Sequence, residues 1–189
     1  MNDILCVDIN NKVKQTVAQI PYKLPEKMNG YRFVLANAAQ QKLPDIIFNF
    51  GRDNAACLVS AILDVSQKSF KALCFDENIE IFNYEVVESS IKCALERNIH
   101  VSILVNSSDF SKNIPEYLSS LIKTIPDETY ENLITNSSEK MLLGSFVVGD
   151  NDMFRLEYKG ENALGIGSFS DAEMSETLND VFDKIRMKC

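Results

Sequence analysis

With 189 residues, the chain has the length of one domain, and its 46% hydrophobic residues are enough to fill a sizeable core. Its net charge of -8 disfavours non-specific binding to nucleic acid, which depends on Lys and Arg neutralising phosphates. No apolar run approaches the roughly 20 residues of a membrane span. The first ten residues, MNDILCVDIN, lack the basic start of a signal peptide. We therefore expect a cytoplasmic protein without a membrane partner.

The first 45 residues carry mixed signals. A strand-like pattern occupies residues 1–10, and Val13, Val17 and Ile20 then recur at helical spacing until Pro21. The segment PYKLPEKMNG predicts a loop, and residues 31–39 fit either a strand or a short helix. We interpret residues 1–45 as an N-terminal extension that packs on a main domain formed by residues 46–189.

The most regular stretch, residues 55–106, predicts helix, buried strand, helix and buried strand. Its strands are FKALCF and IHVSILVN, and its helices carry apolar residues at helical spacing. A continuously apolar strand is typical of a parallel sheet covered on both faces. The sequence therefore predicts an α/β fold with a mixed, mostly parallel sheet flanked by helices.

The last part of the chain predicts further helices and a β-hairpin. A helix around Tyr117 and a helical turn at 127–135 precede two β-rich runs that flank GDND, which we interpret as a hairpin turn rather than a calcium loop. Residues 162–169 predict another strand, where GIGS favours close backbone contact over phosphate binding. Ser170 and Glu173 predict a capping box for a final amphipathic helix.

Cysteine and histidine usage gives no sign of a metal site. The five cysteines form no CxxC pair, and the chain has one histidine, so we expect no metal and no cofactor. We interpret the cysteines as small buried hydrophobes. His100 opens a predicted strand, where a structural role is favoured over a catalytic one.

The order of these elements resembles the phospholipase D superfamily. AILDVSQKSFKALCF and VVESSIKCALERNIHVSILVN are similar to the first helices and strands of such a domain. SFVVGDNDMFRLEY resembles its His-x-Lys-x-x-x-x-Asp segment, and ALGIGSFSDAEMSETLNDVFDKI its GSxN strand and closing helix. The resemblance covers residues 46–187. It implies a phospholipase D-like sandwich and, because one-motif members commonly pair across the motif face, a homodimer.

The motif departs from the family at the positions that matter for chemistry. Ser145 stands at the position of the nucleophilic His and Val147 at that of the phosphate-holding Lys, and only Asp152 matches. The resemblance therefore implies that the family's phosphodiester chemistry is lost, and we assign no catalytic residue. If the crevice persists, we expect Ser145, Asp152 and Ser168 to line a ligand pocket.

Three functions remain open at this point. The leading hypothesis is a non-catalytic domain that binds a ligand or a partner protein. The alternatives are a divergent phosphodiesterase or nuclease with a rebuilt active site, and a structural subunit of a cytoplasmic complex. A nucleic-acid partner is disfavoured by the charge.

Overall fold

The computed structural model describes residues 23–75, 79–106, 144–158 and 164–187. The expected strand and helix before Pro21, the helix around Tyr117 and the turn at 127–135 lie outside these ranges, as do Cys6 and Cys189. Within them, the helices are α1 (Asn29–Gln40), α2 (Gly51–Val65), α3 (Glu85–Glu96) and α4 (Ala172–Arg186). The strands are β1 (Ile47–Asn49), β2 (Ser69–Phe75), β3 (His100–Asn106), β4 (Phe146–Gly149), β5 (Met153–Glu157) and β6 (Gly165–Ser168). Short 3-10 helices span Glu26–Met28 and Ile79–Asn83. No described helix has the length and apolarity needed to cross a membrane.

The ambiguous segment 31–39 is helical and lies within α1. Leu35 and Ala39, one turn apart, are buried and belong to the same core as α2. This i, i+4 spacing places both side chains on one helix face, so burial against α2 fixes the helical alternative. The boundary that we placed at residue 45 stays a prediction.

The strands form one sheet in the order β1-β6-β5-β4-β2-β3. β2 and β3 are parallel and are joined through α3, as the pattern of residues 55–106 predicted. The other four described pairings are antiparallel, so the prediction of a mostly parallel sheet is wrong. β4 and β5 are antiparallel because a hairpin joins them, whereas the pairings of β1 with β6 and of β2 with β4 join segments that are distant in the sequence. The mixed α/β sheet with flanking helices is confirmed.

Helix α2 covers one face of the sheet. Every residue from 55 to 63 is buried, because α2 lies between the sheet and helices α1 and α3. Gly167 of β6 permits this approach, since a Cβ there would lie 2.6 Å from the Phe154 carbonyl oxygen and 2.9 Å from Leu58 Cδ2. The interpretation of GIGS as a strand in close backbone contact is confirmed.

Helix α4 covers the other face. Leu178, Phe182 and Ile185 pack on a cluster that includes Phe146 and Phe154 from the sheet. The helix begins one residue later than the predicted capping box, because the Asp171 side chain accepts a hydrogen bond from the Met174 N–H at 3.0 Å. Asp171 therefore satisfies a free N–H of the first turn in place of Ser170.

The GDND turn between β4 and β5 is a hairpin, and its first aspartate has a structural role. Asp150 has φ 51°. Its carboxylate accepts backbone hydrogen bonds from Gln67 at 3.0 Å, Lys68 at 2.8 Å and Ser69 at 3.0 Å. Asp150 thereby ties the hairpin to the connection between α2 and β2.

Candidate functional site

A small cavity lies at one end of the central strands, where β2 and β5 end and β4 begins. Its volume is about 20 Å³, which is room for a group the size of one water molecule. Its polar lining comes from α2, β2, β5 and the residue that precedes β4, namely from Arg52, Cys74, Arg155, Glu157 and Ser145. Val147 also lines it. The two positions that the resemblance assigns to the motif His and Lys, Ser145 and Val147, thus border the same cavity.

Register explains why these side chains meet. Val147 of β4 is directly opposite Arg155 of β5. Ser145 is opposite Glu157, whose N–H donates to the Ser145 carbonyl at 2.8 Å. Residues opposite each other in an antiparallel pair project to the same face of the sheet. The four side chains therefore share the face that α2 covers.

A buried ion pair forms the polar centre of this face. Arg155 Nη2 donates to Glu157 Oε2 at 2.7 Å, and the two side chains are 3% and 5% exposed. Asn49, at the end of β1, joins this network. Its side-chain amide is oriented so that both the oxygen and the nitrogen form hydrogen bonds. Its oxygen accepts from Arg155 Nε at 3.0 Å, and its nitrogen donates to the Gly165 carbonyl at 2.9 Å.

Gly165 leaves room for this network. A Cβ at this position would lie 2.7 Å from the Asn49 amide and 3.2 Å from Arg155 Nη2. The glycine that resembled part of a phosphate loop therefore accommodates a buried arginine. Since Arg155 and Glu157 neutralise each other, the network presents hydrogen-bonding groups without net charge.

Two residues of nucleophilic type, Cys74 and Ser145, border the cavity. Burial, followed by the negative charge of Glu157, raises the pKa of the Cys74 thiol to about 12, so the thiol is protonated at neutral pH. The Ser145 hydroxyl oxygen accepts a hydrogen bond from the Phe75 N–H at 3.1 Å. The described residues around the cavity include no histidine.

The three residues expected to form one pocket do not come together. Ser145 lines the cavity, whereas Asp152 lies in the turn at the other end of β4, where its carboxylate accepts from Lys42 Nζ at 2.5 Å. Ser168 is fully buried in β6, opposite Phe154, and its hydroxyl oxygen accepts from the Ser170 N–H at 3.2 Å. Neither Asp152 nor Ser168 lines the cavity.

Sequence analysis missed Asn49, Arg155 and Glu157. A signal was present, because Arg155 and Glu157 alternate with apolar residues in MFRLE, and residues two apart on a strand share a face. Nothing local marks Asn49, which reaches the network only through the pairing of β1 with β6.

His100 lies at the start of β3, away from the cavity. Its Nε2 and the Ser102 hydroxyl are 3.1 Å apart and share a hydrogen bond. Burial is the largest cause that lowers the pKa of His100, and the positive charges of Arg186 and Lys71 lower it further. Its position at the start of a strand is as predicted, and its structural role stays a prediction.

The cysteine interpretation holds for two of the three described cysteines. Cys57 and Cys74 are buried, and burial is the main cause that raises the pKa of Cys57 to about 11. Cys93 is exposed on α3, so the interpretation is wrong for this residue. Within the described ranges, no three His, Cys, Asp or Glu side chains come together as metal ligands.

A larger groove of about 370 Å³ lies between α1 and α2. Both helices line it, with Arg32 and Phe33 on one wall and Cys57 and Asp64 on the other. None of the motif positions borders this groove, so it is separate from the small cavity.

No family model and no curated protein matches the sequence. Solved structures do match the fold. The archaeal chromatin protein TrmBL2, whose structure is described as showing a novel mode of DNA binding, matches 86% of this chain at 12% identity with a TM-score of 0.61. This chain spans 60% of that protein's length.

Two further solved structures of similar fold match over almost their whole length. The phospholipase D family member NUC from Salmonella typhimurium matches with a TM-score of 0.56 at 12% identity, and the match covers 75% of this chain and 93% of NUC. NucT from Helicobacter pylori matches with a TM-score of 0.54 at 12% identity, and the match covers 77% of this chain and 98% of NucT. The chain therefore has a phospholipase D-like α/β fold, as its sequence predicted.

Proposed function

We propose that this chain is a non-catalytic phospholipase D-like domain that binds a neutral polar ligand at the small cavity. The observation that carries the proposal is the row of Ser145, Glu157 and Arg155 at that cavity, with Val147 where the family would hold a phosphate with Lys. The cavity has room for one polar group of the ligand. The rest of the ligand would lie outside the cavity, beyond the ends of β2 and β5.

The charge of the site supports a neutral ligand over a phosphate. The positive charge of Arg155 is satisfied by Glu157, and Arg52 forms an ion pair with Glu80. A phosphoryl group needs cations that are free to pair with it. A hydroxyl or amide can instead exchange hydrogen bonds with Ser145 and with the remaining lone pairs of Glu157.

Turnover by the family mechanism is not part of this proposal. Ser145 would need a general base to act as a nucleophile. The Cys74 thiol beside it is protonated, Glu157 is held by Arg155, and His100 lies at the start of β3. Hydrolysis of bis(4-nitrophenyl) phosphate should stay at the rate of buffer alone, and hydrolysis that Ser145→Ala abolishes would favour the phosphodiesterase alternative.

DNA binding is likewise not carried over from the archaeal chromatin protein. The net charge of -8 opposes the phosphate contacts that supply most non-specific affinity. This chain also spans only 60% of that protein, so an activity of the whole molecule need not reside in the matching part.

Binding can be tested with matched pairs of compounds and matched serine variants. Calorimetry would compare ribose, glucose and adenosine with ribose 5-phosphate, glucose 6-phosphate and adenosine monophosphate. We expect a neutral compound to bind and its phosphorylated partner to bind at least about tenfold more weakly, because both described arginines at the cavity, Arg52 and Arg155, already form ion pairs.

The variants locate the site. Ser145→Ala should weaken binding of the neutral compound, whereas Ser168→Ala, at a buried serine outside the cavity, should leave it unchanged. Preference for the phosphorylated compound, or equal effects of the two substitutions, would contradict the proposal. Circular dichroism of both variants verifies that the fold persists.

A further inference from the structure

An apolar surface surrounds the edge strand β1. Ile46, Phe48 and Phe50 are 46%, 66% and 63% exposed, and Tyr158 and Leu164 beside them are also exposed. These five residues are called the β1 patch below. Exposed aromatic residues that lie together, rather than scattered, are typical of interaction surfaces.

Register places the β1 patch on the face of the sheet that α4 only partly covers. Phe48 is opposite Ile166, which packs against the cluster beneath α4. Asn49, the next residue, projects to the other face and is buried there beside Arg155. Helix α4 packs on β2, β4 and β5 and does not extend over the side chains of β1.

The backbone of β1 is also available on its outer side. β1 is the first strand in the sheet order, and within the described residues it pairs only with β6. An unpaired strand edge is a template for another strand unless charges, proline or a bulge block it. Residues 46–50, IIFNF, contain no charge and no proline.

The ends of this segment carry opposite charges. Asp45 precedes it and Arg52 follows it, and both side chains are exposed. When two such segments pair antiparallel about Phe48, Ile46 of each faces Phe50 of the other, and Asp45 approaches Arg52 at both ends. A parallel pairing would instead bring like charges together, which is unfavourable.

We propose that the β1 patch is the interface between two copies of this chain, with their β1 strands antiparallel across a two-fold axis at Phe48. The interface is self-complementary, as a two-fold axis requires. Phe48 and Phe50 bury their rings at its centre, and the pairs of Asp45 with Arg52 of the second copy fix the direction of pairing. Arg52 is exposed enough to reach both Glu80 of its own chain and Asp45 of the second copy.

The interface and the ligand site share Arg52, which lines the small cavity and would pair with Asp45 of the second copy. The small cavity lies on the face covered by α2, whereas the β1 patch lies on the opposite face. It also differs from the pairing across the motif face that the family resemblance implies, because Ser145 and Val147 project toward α2. Ser145 belongs only to the cavity and Phe48 only to the β1 patch, so substitutions at these two residues let either proposal fail alone.

Charge reversal gives a decisive experiment. In Asp45→Lys chains, both interface pairs become repulsive, and the same is true of Arg52→Glu chains. A mixture of the two variants restores an attractive pair at each end. Analytical ultracentrifugation should show a dimer for the unaltered chain, mostly monomer for each variant alone, and a dimer again for the mixture.

A matched pair of phenylalanine substitutions locates the apolar part. Phe48→Lys should weaken dimerisation at least about tenfold, because a charge would be buried at the centre of the interface. Phe33→Lys, on α1 and at a residue that is 71% exposed, should leave dimerisation unchanged. Thermal melting of each variant shows whether it is folded.

Three outcomes overturn the proposal. A mixture of the charge variants that remains monomeric contradicts the antiparallel pairing. An unaltered chain that is monomeric at the highest accessible concentration contradicts the dimer itself. A dimer that Phe48→Lys leaves intact forms through another surface.

Discussion

Arg155 and Glu157 form an ion pair on the inner face of β5, with Nη2 and Oε2 2.7 Å apart and with almost no exposure of either side chain. They are two residues apart, so the alternation of the strand turns both toward α2. A buried pair of this kind contributes little as a pair, but either partner alone is a buried charge. Its geometry therefore shapes the cavity and makes the site sensitive to single substitutions.

The first prediction concerns this pair. Arg155→Met should lower the free energy of unfolding by roughly 3–5 kcal/mol, because Glu157 loses its partner in a buried place. The double variant Arg155→Met, Glu157→Leu should be more stable than the single variant, since neither charge remains. Urea denaturation measures both values. A double variant no more stable than Arg155→Met would show that packing of the arginine, not charge, dominates.

The second prediction concerns the turn between β4 and β5. Asp150→Ala should cost roughly 2–4 kcal/mol, because three backbone N–H groups lose a charged acceptor and alanine is disfavoured at φ 51°. Denaturation of the variant measures this loss.

Asp152→Ala is the matched control in the same turn. Asp152 makes a partly exposed ion pair with Lys42, so its removal should cost less than about 1 kcal/mol. Equal costs for the two substitutions would refute the structural role assigned to Asp150.

The third prediction compares two glycines. Gly167→Ala should destabilise the fold by about 1–3 kcal/mol, because the new methyl group would meet the Phe154 carbonyl and Leu58. Gly30→Ala, in α1 with no atom within 4 Å of the added Cβ, should instead stabilise it by up to about 1 kcal/mol. Thermal melting of both variants shows the sign directly, and a stabilising Gly167→Ala would contradict the packing of α2 on β6.

The fourth prediction concerns pH. The folded state lowers the pKa of His100, first through burial, so the unfolded state binds its proton more readily. Stability should therefore fall as pH drops through the unfolded pKa of about 6.5 toward the lower folded value. His100 is the single histidine of the chain, which makes the contribution separable.

His100→Gln should flatten the dependence of stability on pH between about pH 7.5 and about pH 5.5. Urea midpoints at a series of pH values measure this dependence. An unchanged pH profile in the variant would mean that other groups titrate in this window.

More of the fold than of the candidate site could be predicted from the sequence. Residues 55–106 form the predicted helices and strands because apolar periodicity is a local property, and a strand, helix and parallel strand follow from it. The motif form also led to Ser145 and Val147, which border the cavity. The structure places Ser145 at the cavity, whereas Asp152 lies in the turn before β5 and Ser168 at the end of β6 that is paired with Phe154.

Other features have no local signature. Asn49 meets Arg155 only because β1 pairs with β6, and the mostly antiparallel order of the sheet depends on the same distant pairings. By itself, the sequence determined the central α/β unit and the hairpin, because these depend on spacing along the chain. Only the tertiary structure decided which residues share the cavity and which apolar residues stay exposed at β1, because strand register and helix cover set both.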